Sequence, residues 1–175
     1  MRSSLRWLAL SAALVATLGV LACDDDPNEP DVETFTATLN GANERPTPRT
    51  TPATGTATLE LIDGETLTWD ITMTGITNLS LAHIHIGDAN TAGGILLDLS
   101  TGTFTATQIT GEIDEADFPA PAAPNQAVTF DAMIQLMRTG GAYVNVHTND
   151  GDATPNEGPG DFPGGEIRGQ ITLVP

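Results

Sequence analysis

Lysine is absent from the 175 residues, and six arginines face 23 aspartates and glutamates, for a formal net charge of −17. Nucleic-acid binding needs a basic surface to neutralise phosphate, so this balance excludes it. Cysteine occurs once, at position 23, which excludes a scaffold stapled by internal disulfides. The apolar or small stretch Trp7 to Leu21 is 15 residues long, short of the roughly 20 that a helix needs to cross a bilayer. There is no Gly-x-Ser-x-Gly nucleophile elbow, no phosphate-cradling glycine loop and no cysteine–histidine pair. The hydrophobic content of 39% still supplies enough Val, Ile, Leu and Phe to bury a core, so wholesale disorder is excluded too.

The first 22 residues read as an export signal. Arg2 and Arg6 precede the apolar stretch, and no charge follows until Asp24. The stretch ends in Val20-Leu21-Ala22-Cys23, which resembles the bacterial lipobox. That resemblance implies cleavage before Cys23 and acylation of its thiol and new amino group, which accounts for the lone cysteine. The expected product is exported and lipid-anchored to the bacterial cell envelope. Losing Arg2 and Arg6 leaves four arginines against the same 23 acids, a charge of −19. An anionic bilayer repels such a chain, so the membrane partner is reached through lipid rather than through charge. Residues 23–33 hold six acids and two prolines with almost nothing to bury, and read as an extended tether.

Residues 34–175 read as one all-β domain. Phe35, Ala37 and Leu39 alternate with Thr36, Thr38 and Asn40, the period of a half-buried strand. Thr56 to Ile62 runs through Asp63-Gly64, a hairpin signal, into Thr66 to Thr74, where Leu67, Trp69, Ile71 and Met73 share a face. Further strands are expected at 81–86, 95–99, 103–113, 143–147 and 166–173. Phe130, Met133, Ile134 and Met137 have helical spacing between Thr129 and Gly140-Gly141, so one short helix is expected near 129–139, its methionines filling the core. The proline-rich 119–124 stretch and residues 149–164 read as loops. About eight short strands imply an antiparallel two-sheet sandwich or a flattened Greek-key barrel.

The three histidines all fall in strand segments. His83 and His85, two apart, project from one strand face, and His147 shares its face with Asn145 and Tyr143. Were these strands neighbours, three imidazoles would converge into a site for one copper or zinc ion. Hydrogen-bonded structural histidines are the alternative. Glu166 and Arg168, also two apart, suit an ion pair or a hold on loop backbone. Asp114, Glu115 and Asp117 read as a solvated acidic turn. Asn149-Asp150-Gly151-Asp152 begins like a calcium loop, but Pro155 stands where the EF-hand needs glycine and Asp161 where it needs glutamate, leaving only an irregular calcium site open.

Four motifs occur in order: Phe35-x-Ala37-x-Leu39-x-Gly41 with Asn43-Glu44-x-Pro46; Ala82-His83-Ile84-His85-x-Gly87; Tyr143-Val144-Asn145-Val146-His147-Thr148; and Gly164-Gly165-Glu166-Ile167-Arg168-Gly169-Gln170. Together they resemble the CHRD domain, named for chordin and also found in bacterial envelope proteins. The resemblance departs at the enlarged 150–162 loop. It implies a β-rich module without an established reaction; Glu44, Asn145, Glu166 and Arg168 are expected as structural residues or as supports around the histidines. Residues 82–93 are also similar to the His-x-His stretch of copper/zinc superoxide dismutases. On that likeness the sandwich is immunoglobulin-like or superoxide-dismutase-like, and His83 and His85 match two copper ligands. That enzyme's further histidines and disulfide have no counterpart here. The expected function is a lipid-anchored, non-enzymatic binding, adhesion or structural module, with a copper- or zinc-binding or redox protein as the alternative.

Overall fold

A computed structural model describes residues 29–119, 128–152 and 158–175. The expected leader, Cys23 and most of the tether lie outside the described residues, as do parts of the 119–124 and 149–164 loops. The strands are β1 Val32–Asn40, β2 Thr54–Ile62, β3 Thr66–Thr74, β4 Leu79–Ile86, β5 Ile95–Asp98, β6 Thr103–Phe104, β7 Gln108–Asp114, β8 Ala142–Thr148, β9 Ile167–Gln170 and β10 Thr172–Leu173. One α-helix, α1, spans Phe130–Arg138.

Two stretches that read as single strands are each divided. At 103–113 the chain turns back where Thr105 Oγ1 accepts from Gln108 N (3.0 Å), so β6 folds onto β7. At 166–173 the chain pairs first with β8 and then, past buried Ile171, with β1.

Every strand pairing is antiparallel, and the order is β5-β4-β8-β9-β1-β2-β3-β7-β6 with β10 beside β1. The all-β sandwich therefore forms from one sheet curled on itself. β1 is the seam: it pairs with β2 along its whole length, while its other edge meets β9 only at Asn40↔Arg168 and β10 at Phe35 and Thr36. β2 and β3 join through three residues, Asp63 (φ 53°), Gly64 (φ 75°) and Glu65, the first two left-handed and closed by Glu65 N donating to Ile62 O (3.0 Å), with Ile62 paired to Thr66.

Alternation builds the core. Phe35, Ala37 and Leu39 of β1, Ala57, Leu59 and Leu61 of β2, and Leu67, Trp69, Ile71 and Met73 of β3 point inward. They meet Ala82, Ile84, Val144, Val146 and Ile167 from the other half of the sheet. Burying each Leu or Ile contributes about 1.5–3 kcal/mol. Helix α1 begins where Thr129 Oγ1 accepts from Ala132 N (3.2 Å), and it buries Phe130, Met133, Ile134 and Met137. The two methionines are core residues, as their spacing predicts.

The consequence for function lies on β4 and β8. Their inward residues join the core, yet β8 is buried at all seven positions, so its outward face is covered as well. Loop backbone forms the cover: Arg168 donates to the carbonyls of Asp88 (2.5 Å) and Thr91 (2.9 Å), and Gln170 Nε2 donates to that of Gly87 (2.9 Å).

Candidate metal centre

Register lays the outward side chains in rows across the sheet. His83 lies opposite Asn145, and Asn145 opposite Arg168; His85 lies opposite Tyr143, and Tyr143 opposite Gln170. His147 sits one row along, opposite Leu81. The two histidine-bearing strands are thus neighbours, and the three imidazoles meet under the loops with 6–8% exposure each.

Hydrogen bonds fix the tautomers. His147 Nδ1–H donates to Pro163 O (2.9 Å) and His85 Nδ1–H donates to Gly93 O (3.0 Å), since a carbonyl can only accept. Both rings therefore keep the Nε2 lone pair for another partner. For His85 that atom is buried and has none. His83 Nδ1 lies 3.1 Å from His147 Nε2 and so supplies the proton of that contact. One ligand atom from each ring falls within 4.8 Å of the other two. Two imidazole nitrogens on a tetrahedral zinc, each bonded at 2.0–2.1 Å, stand about 3.3 Å apart, close to the His83–His147 contact. An imidazole whose other nitrogen donates to a backbone carbonyl is the usual form of a metal-ligating histidine.

Electrostatics favours neutral rings. Burial lowers the His147 pKa to about 4, against the Pro163 hydrogen bond, with His83 and His85 lowering it further. Burial also depresses His85, where the Gly93 bond opposes it and His83 and Arg168 add to it. His83 is lowered by burial, with Asp98 pulling the other way. All three are uncharged at neutral pH and ready to ligate without first losing a proton.

Around them the supporting residues divide. Tyr143 stacks on His85 (5.2 Å between centroids, 11° between planes), and its hydroxyl accepts from Gly93 N (3.1 Å). The residue whose carbonyl orients His85 is therefore held by the ring that packs against it. Arg168, 1% exposed, places its guanidinium 3.4 Å over the other partner of this stack, Tyr143. Glu166, fully buried, accepts from Thr51 Oγ1 (2.5 Å), Thr148 Oγ1 (2.6 Å) and Gly160 N (2.9 Å). Glu166 and Arg168 thus hold separate loops and not each other. Glu44 and Asn145 are buried as well, and Glu44 Oε1 and Asn145 Oδ1 lack hydrogen-bond partners.

The Asp150, Asp152 and Asp161 carboxylates gather within 4.8 Å of one another, the first two exposed and the third buried. Asp114, Glu115 and Asp117 are exposed, the last two in a short 3-10 turn. The carbonyls of Gly93 and Pro163 carry no side-chain signal in the sequence. Tyr143 had one, since alternation puts it on the face of His147.

The fold and this face define an all-β module with a covered polar surface and three convergent imidazoles. A family model described as the CHRD domain matches residues 35–155, and the chain belongs to that family. The match spans all three histidines and ends before β9, whose strand nevertheless completes the row beside β8. No curated protein matches the chain.

Proposed function

We propose that this CHRD-domain protein is exported, held to the cell envelope through acylated Cys23, and binds one copper or zinc ion at His83, His85 and His147 as a non-enzymatic binding module. One observation carries the metal reading: three buried neutral imidazoles converge, two of them with Nδ1–H tied to backbone carbonyls and Nε2 turned to the shared space. Ligation asks His83 to move its proton from Nδ1 to Nε2, freeing both nitrogens of the 3.1 Å contact for the ion. With copper the site would supply one-electron chemistry; with zinc, a Lewis acid.

The test is retention of metal by the full chain after exposure to copper or zinc at pH 7 and gel filtration. Close to one ion per chain, lost when all three histidines are replaced by alanine, is the expected result. No retained metal overturns it. In that case the His83–His147 hydrogen bond stands as a structural contact within a binding or adhesion module, the second reading. Anchoring is tested separately, because Cys23→Ala should move the protein out of the membrane fraction, and unchanged partition would remove that part.

A further inference from the structure

Asn145 sits directly opposite His83 and two residues before His147, and its Oδ1 is buried without a donor. Glu44 Oε1 is equally buried and equally without one. The two oxygens flank the same glycine: a Cβ on Gly165 would lie 2.5 Å from Asn145 Oδ1 and 2.9 Å from Glu44 Oε1. Gly165 adopts φ 120°, which only glycine takes readily, so the backbone here is shaped to admit both side chains. Asn145 Nδ2 approaches the same glycine at 2.7 Å, yet each of the two buried oxygens is left without a partner, which folded proteins avoid. A proton on the Glu44 carboxyl removes the buried charge and turns an unpartnered acceptor into a possible donor.

Resting on the three-histidine reading, we propose that Glu44 is the proton-exchanging group of this face: it carries a proton in the metal-free protein and releases it when a divalent cation binds. The step balances as Glu44–COOH plus M²⁺ giving Glu44–COO⁻ with bound M²⁺ plus H⁺. The charged groups facing Glu44 are Arg45 and Arg49 of its own segment and Arg168 of β9, and Glu166 beside Gly165 is already engaged by Thr51, Thr148 and Gly160. Burial outweighs the three arginines and a backbone hydrogen bond from Arg45 to the carboxylate, and pushes the Glu44 pKa up to about 7. Burial holds all three histidines below their ordinary range, so they are the lesser source of protons here. A cation bound next to Asn145 favours the carboxylate and drives the proton out. Metal uptake would then strengthen as pH rises through neutrality, well above the range set by the depressed histidines.

Zinc alone, titrated into the full chain at pH 7 in weak buffer with a pH indicator, reads the coupling directly. A group with a midpoint near 7 should release about half a proton per zinc. Glu44→Gln should bind zinc with unchanged stoichiometry and release close to none. Equal release from Glu44→Gln overturns the proposal while leaving the metal site standing. A wild-type chain that binds no zinc overturns the three-histidine reading itself, and the coupling with it. If Glu44→Gln folds poorly, the carboxyl carbon-13 shift of Glu44 in the wild-type chain replaces it. A midpoint near 7 that moves down with zinc supports the proposal, and a midpoint in the ordinary carboxylate range overturns it.

Discussion

Two outward faces of the same curled sheet behave oppositely. On β2 and β3 the residues between core positions are Thr54, Thr56, Thr58, Glu60, Thr66, Thr68, Asp70, Thr72 and Thr74, all exposed or half-buried. On β4 and β8 the corresponding polar side chains, His83, His85, Tyr143, Asn145 and His147, are buried, and Leu81 at the edge of this face is exposed. Among the described residues, six buried side-chain polar atoms lack a hydrogen-bond partner. Five belong to Glu44, Arg49, His85, Asn145 and Gln170, on or against the covered face; the sixth is Trp69 Nε1. The threonine face is open to solvent, and Thr54 pairs with Thr74 and Thr66 with Asp114, whereas the covered face leaves polar groups desolvated and incompletely paired. Such a concentration is destabilising unless something else compensates, which is why the covered face, not the open one, is where function is sought.

The largest expected break in this contrast is Glu166→Ala. It strands the donors Thr51, Thr148 and Gly160 beneath the cover, and charge-assisted bonds of this kind support a loss on the order of 3 kcal/mol or more in urea unfolding. A loss under about 1 kcal/mol would mean that the loops are held otherwise.

Acid should expose the same face next. The folded-state pKa of His147, about 4, lies below its unfolded value, so its neutral form contributes stability that is complete above about 6.5 and lost as pH falls towards 4. The effect is on the order of 2–3 kcal/mol, and His147→Gln should flatten that slope of unfolding free energy against pH. Glu44 runs the other way: its pKa is raised to about 7, so its contribution is complete below about 4.5 and fades as pH rises through 7. Melting of Glu44→Gln should therefore gain on wild type between pH 5 and pH 8. Parallel melting curves at all pH values would contradict both signs.

The smallest effect belongs to the open face. Thr56→Ala, on an exposed position of β2, should change stability by no more than about 0.5 kcal/mol. A larger cost, comparable to that of Glu166→Ala, would show that the threonine face is not merely solvated and would erase the distinction.

Much of this was legible in the chain. Period-two runs placed β1, β2, β3 and β8, the Asp63-Gly64 pair placed their tightest turn, and helical spacing placed α1 with its Thr129 cap. Same-face alternation grouped His83 with His85, and His147 with Asn145 and Tyr143. The divisions at Thr105 and Ile171 were not legible, because a strand interrupted by a turn or a change of partner keeps the composition of a strand. Nor was the separation of Glu166 from Arg168, since residues two apart share a face but choose partners by what packs above them.

By itself the sequence determined the all-β class, the acidic charge, the faces on which the histidines stand and the family to which the chain belongs. Only the tertiary structure decided that β4 and β8 are neighbours, that Gly93 and Pro163 orient two of the rings, and that Glu44 and Asn145 both approach Gly165, each with one buried oxygen unpartnered. The physical reason is one of range. Alternation is a local property of the extended chain, whereas register, backbone carbonyl contacts and desolvation depend on distant segments brought together, such as His83 and His147, 64 residues apart, or Thr51 and Glu166, 115 apart.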